Sequence, residues 1–220
     1  MRPKAVLLDV DGTLIDSNDA HAHAWVDALL ESNISVEFAV VRRLIGMGGD
    51  KLLPKVANID AESRQGKAIS QRRGEIFQSK YLPEIRPFPD VGVLLRRMEQ
   101  ENLILAVASS AKENELDSLL GLFDGKNFIQ LTTSSDDVDN SKPDPDIIEV
   151  ALGRLGHPRE AVILLGDTPF DVEASLRAGI RAIALRCGGW SDIDLQGAVQ
   201  IYDDPADLLI HFDKSPLCEL

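Results

Sequence analysis

Cysteine is scarce in this chain. Cys187 and Cys218 are the two among 220 residues, which excludes a disulfide scaffold and a cysteine metal cluster. A free-thiol, cytoplasmic protein is the simplest expectation. Positive charge is short too: 23 Lys and Arg stand against 36 Asp and Glu, a formal net charge of −13. A chain this acidic repels nucleic acid and anionic membranes, so neither is an expected partner. A small anion remains admissible where a cation or a few basic groups reverse the local field. Long apolar runs are missing as well. The first, Ala5-Val6-Leu7-Leu8, is stopped by Asp9 and Asp11, too short for a signal-peptide core or a membrane span. There is no internal repeat and no low-complexity tract, and a monomer is the default expectation.

What is present suits a globular α/β protein. Hydrophobic residues make up 44% and charged residues 27%, enough at this length for a full core. Apolar runs at 5–8, 103–108, 128–131, 161–165 and 181–185 read as buried strands, with a weaker sixth at 199–202. Helix signals fall between them. Asp90 is a candidate cap for a helix running to about Glu101. Asp144-Pro145 is a candidate N-cap with proline in the first turn and Gly156 as stop, and Thr168-Pro169 repeats the device with Gly179. Strands alternating with helices predict a parallel sheet covered on both faces, a Rossmann-like core. One stretch breaks the alternation. From Ser17 to about Tyr81 helical spacing recurs, as in Ala20, Ala24, Trp25, Ala28 and Leu29, without a convincing strand. The reading is a helical cap at 17–83 inserted into a core of 1–16 and 84–220, with hinges near Asp16 and residues 83–87.

Four segments close predicted strands, where open parallel sheets place their binding crevice. In Asp9-Val10-Asp11-Gly12-Thr13, alternate residues point the same way, so Asp9 and Asp11 can face one site. Asp-Gly alone would signal a turn; two acids directly after an apolar strand say more. Ser109-Ser110 offers a hydroxyl and free amides to an anion, or merely a helix cap. Ser141-Lys142-Pro143-Asp144-Pro145 is a stiff turn able to aim Lys142 inward. In Gly166-Asp167-Thr168-Pro169-Phe170-Asp171, a capping box explains Asp171 but not Asp167. Together they converge carboxylates, one lysine and one hydroxyl. Hard oxygen ligands without His or Cys clusters select Mg²⁺ over Zn²⁺, and the set suits phosphoryl transfer to a carboxylate nucleophile.

In this order the four segments resemble the motifs of the haloacid dehalogenase-like hydrolases. The early helical insert resembles the cap of the subgroup containing phosphoglycolate phosphatase, beta-phosphoglucomutase and phosphonatase. The resemblance implies Asp9 as nucleophile forming an aspartyl-phosphate, and Asp11 as general acid and then base. It implies phosphate held by Ser109, Ser110 and Lys142, and Mg²⁺ held by Asp9, the carbonyl of Asp11 and Asp167. Asp171 would orient waters or Lys142 from behind.

Asp11 argues for phosphate-ester cleavage, which needs a proton for the departing alkoxide. The expectation is therefore a phosphatase for a small phosphorylated metabolite, phosphoglycolate phosphatase-like. A sugar phosphomutase like beta-phosphoglucomutase and a non-catalytic phospho-ligand binder are the alternatives. The insert loop Gly46-Met47-Gly48-Gly49-Asp50-Lys51 lacks the arginine expected of the mutase, although Arg42 and Arg43 precede it. His21 reads either as a gate for cap closure or as a half-buried helix histidine. Arg43 and Lys51 read either as substrate contacts or as surface cations.

Overall fold

The computed structural model describes residues 2–218; Met1, Glu219 and Leu220, which the expected core segments include, lie outside the described residues. Six parallel strands form one sheet: β1 (Ala5–Leu8), β2 (Ile104–Ala108), β3 (Ile129–Thr133), β4 (Val162–Gly166), β5 (Arg181–Leu185) and β6 (Gln200–Tyr202). Their order is β3-β2-β1-β4-β5-β6. The chain winds outward from β1 to β3, then returns to β4 and winds the other way. The topological switch therefore falls between β1 and β4, where such sheets open a crevice at their carboxyl ends. Register sharpens this: Leu8 pairs with both Val107 and Leu165. Asp9 is thus level with Ala108 and Gly166, and Ser109 and Asp167 follow one residue further on.

Strand β1 is buried on both faces because its residues alternate between two packed layers. Val6 and Leu8 join the cluster containing Leu94, Leu95 and Met98 of α5 (Val91–Gln100). Ala5 and Leu7 join Ile147, Ile148 and Ala151 of α7 (Asp146–Leu155) and Ala174 of α8 (Pro169–Arg177). Helices α6 (Glu113–Leu120) and α9 (Pro205–Ile210) complete the core. Of the expected caps, Thr168 makes a full capping box with Asp171, and Gly156 ends α7 in the left-handed conformation. Asp144 and Asp90 differ. Pro145 occupies the N-cap of α7, and the Asp144 carboxylate is spent on Lys51 and Arg177. Asp90 does hold the N-cap of α5, whose C-cap is Glu101, but it sits at φ 60° and makes no side-chain cap bond.

The stretch without strands forms the helical insertion. It comprises α1 (Asn18–Glu31), α2 (Phe38–Arg42), α3 (Gly49–Ala57) and α4 (Arg64–Ile76), followed by a π-helical turn Phe77–Tyr81. The N-terminus of α4 is fixed by the Ser63 side chain, which accepts from Gly66 N–H. Trp25, Leu29, Leu53 and Phe77 are buried in the same cluster as Val6 and Leu8, so insert and core share apolar packing. The two linkers run side by side: Asp16 N–H donates to Arg86 O at 3.0 Å and Phe88 N–H to Leu14 O at 3.0 Å. Among the described residues no helix is long and apolar enough to cross a membrane, and both cysteines are free.

Leu8 is fully buried in the central strand beneath the crevice. Leu8→Ala is expected to destabilise the fold by about 2–5 kcal/mol, the cost of a large-to-small change in a packed core. Urea unfolding checks this; a loss under about 1 kcal/mol would mean that the sheet collapses onto the void.

Candidate active site

Asp9 follows β1 directly and is tied to the neighbouring strand by its N–H, which donates to Leu165 O at 2.9 Å. The next residues fold into a tight turn, with Leu14 and Ile15 N–H both donating to Val10 O and Gly12 N–H to Ile15 O. Gly12 is required there. Its φ is 79°, and a Cβ would lie 2.0 Å from Asn18 Nδ2 and 2.2 Å from Asp167 Oδ2. Gly188 presses on Asp167 from the other side, where a Cβ would again stand 2.0 Å from Oδ2. Two backbones without side chains thus close around one carboxylate.

The other side chains converge on this point. Lys142 is fully buried, and its Nζ donates to Asp9 Oδ1 at 2.6 Å and to Asp171 Oδ1 at 2.7 Å. The second oxygen of Asp171 accepts from Thr168, so the capping box that starts α8 also aims Asp171 at the lysine. Asp167 is fully buried and accepts from Thr13 Oγ1 at 2.9 Å and Asn18 Nδ2 at 2.8 Å. Ser109 is buried, and its Oγ accepts from Ala111 N–H, which leaves its own proton for an acceptor. Ser110 lines the cleft and donates to Gly46 O of the insert. Asp11 lines the cleft with Asp9 and is held from the insert: His21 Nε2 lies 2.7 Å from its Oδ1, and Ser17 Oγ donates to the same oxygen.

Burial and charge set the protonation of these groups. Burial pushes the Asp9 carboxyl up to about 7; Lys142 opposes this and the Asp171 charge reinforces it. Asp167 is raised well above the carboxylate range by burial and then by the charges of Asp171 and Asp9. Burial works against ionisation of Asp11 also, but His21, Ser17 and Arg73 overcome it and hold its carboxyl below the usual value. Burial works against the ammonium of Lys142 and loses to Asp171 and Asp9, which raise it. Asp9, Asp167 and Asp171 offer oxygens within 4.8 Å of one another. Three such acids against one ammonium form a net-negative pocket. The buried Asn18 Oδ1 has no hydrogen-bond partner. An all-oxygen set with unbalanced charge and an orphan acceptor fits a hard divalent cation.

Sequence reading and structure part at the cleft's far wall. Lys51 is bound to Asp144, and Arg43 stacks on Trp190 and faces Asp194 at 3.8 Å; neither lines the cleft. His21 does line it. Thr13, Asn18, Arg73 and Glu115 were missed. Asn18 looks like part of a helix start and Arg73 like one of a solvated pair, Arg72-Arg73; each acts across the fold, where sequence gives no signal. Cys187 was also missed, and its thiol contacts Gly12 O at 3.2 Å.

Fold and site define a doubly wound α/β protein with an acidic, cation-ready crevice beneath a helical insert. The family model of haloacid dehalogenase-like hydrolases matches residues 6–185, and the chain belongs to that family, in the helical-cap subgroup. A phosphoglycolate phosphatase from Aquifex aeolicus is 28% identical over 216 residues, 96% of this chain and 97% of that protein. A phosphoglycolate phosphatase from Rhodospirillum rubrum is 26% identical over 215 residues, 94% of this chain and 89% of that protein. The crystal structure of a hydrolase from Pseudomonas syringae matches with a TM-score of 0.89 at 30% identity, covering 96% of this chain and 98% of that one.

The charge imbalance has a thermal consequence. Asp9 titrates near 7 in the fold against 3.8 for an ordinary aspartate, so between these values the native state holds more protons than the unfolded chain. Stability without metal should therefore fall as pH rises from about 5 to about 8. Millimolar Mg²⁺ should raise the melting temperature, and more at the higher pH, because protons and cation compete for the same oxygens. Equal shifts at both pH values would contradict the assignment of these carboxylates to a cation site.

Proposed function

We propose that this chain is a magnesium-dependent phosphatase that hydrolyses a small phosphate monoester through an aspartyl-phosphate on Asp9, with phosphoglycolate phosphatase-like machinery. The observation that carries this is the buried Lys142 ammonium on Asp9, at the floor of a cleft that Asp11 also lines. Nucleophile, charge-neutralising cation and acid–base group then stand around one point, as displacement at phosphorus requires.

In this reading Asp9, the carbonyl of Asp11, and Asp167 hold Mg²⁺, which supplies charge neutralisation for the phosphoryl oxygens. Asp9 attacks phosphorus with one carboxylate oxygen, while Lys142 contacts Asp9 and the phosphoryl group. Ser109, through its available proton, and the Ser110 amide take further phosphate oxygens. Asp11 gives a proton to the departing alkoxide and later takes one from the water that cleaves the acyl phosphate. The dianionic phosphate beside Asp11 favours its protonated form for the first step. His21 and Ser17 fix its orientation. Asp171 acts through Lys142, which it positions.

A mutase is less well supported, because Arg42 is bound to Asp19 and Gly188 O and Arg43 to the Trp190 face, so neither arginine is offered to a second phosphate. A non-catalytic binder would be expected to have lost part of the set, and Asp9, Asp11, Lys142 and Asp167 are all present.

Magnesium-dependent turnover of p-nitrophenyl phosphate tests the reading. Asp9→Asn should lower it to background while the protein stays folded, since an amide is a far poorer nucleophile and cation ligand. Steady turnover by a contamination-free Asp9→Asn protein would remove Asp9 as nucleophile. Asp11→Asn should cost about 10²–10⁴-fold on alkyl phosphates, the usual worth of a general acid or base, and less on p-nitrophenyl phosphate, whose leaving group needs little protonation. Similar losses on both would make Asp11 structural.

A further inference from the structure

Among the residues lining the cleft, Arg73 is the one lysine or arginine. It comes from insert helix α4 and crosses to core helix α6, where its Nη1 donates to both oxygens of Glu115 at 3.0 and 2.8 Å. Both side chains are sheltered, 14% and 6% exposed. Positive groups nearby on the insert are also engaged: Lys51 with Asp144, Arg42 with Asp19, Arg43 with Trp190. Lys112 is exposed and outside the lining. The wall opposite the phosphoryl site is therefore a neutralised ion pair.

We infer that the site takes a monoester whose leaving group is uncharged and hydroxylated, a polyol or sugar phosphate, and that the Arg73–Glu115 pair makes this selection. The inference rests on the phosphatase reading above. A leaving group bearing a carboxylate or second phosphate gains the Nη1 donors of Arg73 only by evicting Glu115, and at Nε or Nη2 it would stand beside the Glu115 carboxylate, a like charge. On eviction that carboxylate would be left buried, with the His21 Nδ1 ring nitrogen at 3.9 Å beside it, and removing one partner of a buried pair is costly. A hydroxyl group asks for no eviction. Arg73 Nε is buried and has no acceptor, and the Glu115 carboxylate retains lone pairs for O–H donors. Trp25, Ile45 and Met47 give the carbon skeleton an apolar face.

Two matched pairs test this: phosphoglycolate against hydroxyethyl phosphate, and phosphoglycerate against glycerol phosphate. Within each pair a carboxylate replaces a CH₂OH group and little else changes. The wild-type protein should favour the hydroxylated member by about tenfold or more in kcat/KM, the ratio that a 1.4 kcal/mol difference gives. Glu115→Gln frees the guanidinium and should shrink that ratio about tenfold, through a lower KM for the acids. A pair that merely latched insert to core would change both members alike and leave the ratio fixed. Equal or reversed wild-type preference, or a ratio unmoved by Glu115→Gln, overturns the inference. If p-nitrophenyl phosphate is hydrolysed in those cases, the phosphatase reading stands and this one alone falls. A protein inert toward p-nitrophenyl phosphate and all four esters overturns both.

Discussion

A single buried ammonium holds the site together. Lys142 has no exposed surface and joins Asp9, at the end of the first strand, to Asp171, in the first turn of α8. Residues far apart in the chain are thus fixed by one charge. Removing one partner of a buried ion pair costs about 3–5 kcal/mol because the other charge is left uncompensated. Here the lysine has two partners, and Asp167 is buried beside them. The pocket is short of positive charge, and the carboxyls of Asp9 and Asp167 are raised first by burial and then by the neighbouring acids. Phosphate chemistry needs such a pocket. A cation that relieved the repulsion among the acids would also draw an anionic substrate into a strongly acidic chain.

The fold supplies the convergence. Parallel pairing of β1 with both β2 and β4 puts Leu8 level with Val107 and Leu165. Whatever follows those residues must emerge together. This makes the carboxyl end of β1 a site that side chains can populate from three loops without strain in the strands. The unusual conformation falls instead in the turn after Asp9, where Gly12 at φ 79° lets the backbone pass against Asn18 and Asp167.

The strands and the acidic motifs were legible in the sequence because both are local. A buried parallel strand is a short apolar run, and the residues that end it sit beside it in the chain. Thr168 and Gly156 were legible as helix boundaries for the same reason. Asp144 misled because Asp-Pro is a good local cap pattern, while the structure uses that carboxylate for Lys51 and Arg177. Arg73 and Glu115 were invisible for the complementary reason. Each looks like an ordinary solvated helix charge, and their pairing exists only once the insert lies against the core. Asn18 is similar: it opens α1, yet its amide holds Asp167, 149 positions away.

The insert and the core meet through polar contacts of two kinds. At the hinge, Asp16 with Arg86 and Leu14 with Phe88 bind linker to linker through the backbone, independent of side-chain identity. Over the cleft, His21 to Asp11, Ser110 to Gly46, Gly48 N–H to Ser141 Oγ and Arg73 to Glu115 bind insert to core through side chains. Backbone pairing can be kept while the insert swings; the side-chain set cannot, since each contact spans the opening. Opening would free Asp11 from His21 and Glu115 from Arg73 in one movement. On the proposed function, the acid–base group and the leaving-group wall would be coupled to the same displacement, and the chemistry would be assembled only with the cleft shut and water largely excluded. Hydrolysis by the proposed route would then require the cleft to admit one water to the acyl phosphate once the leaving group has departed.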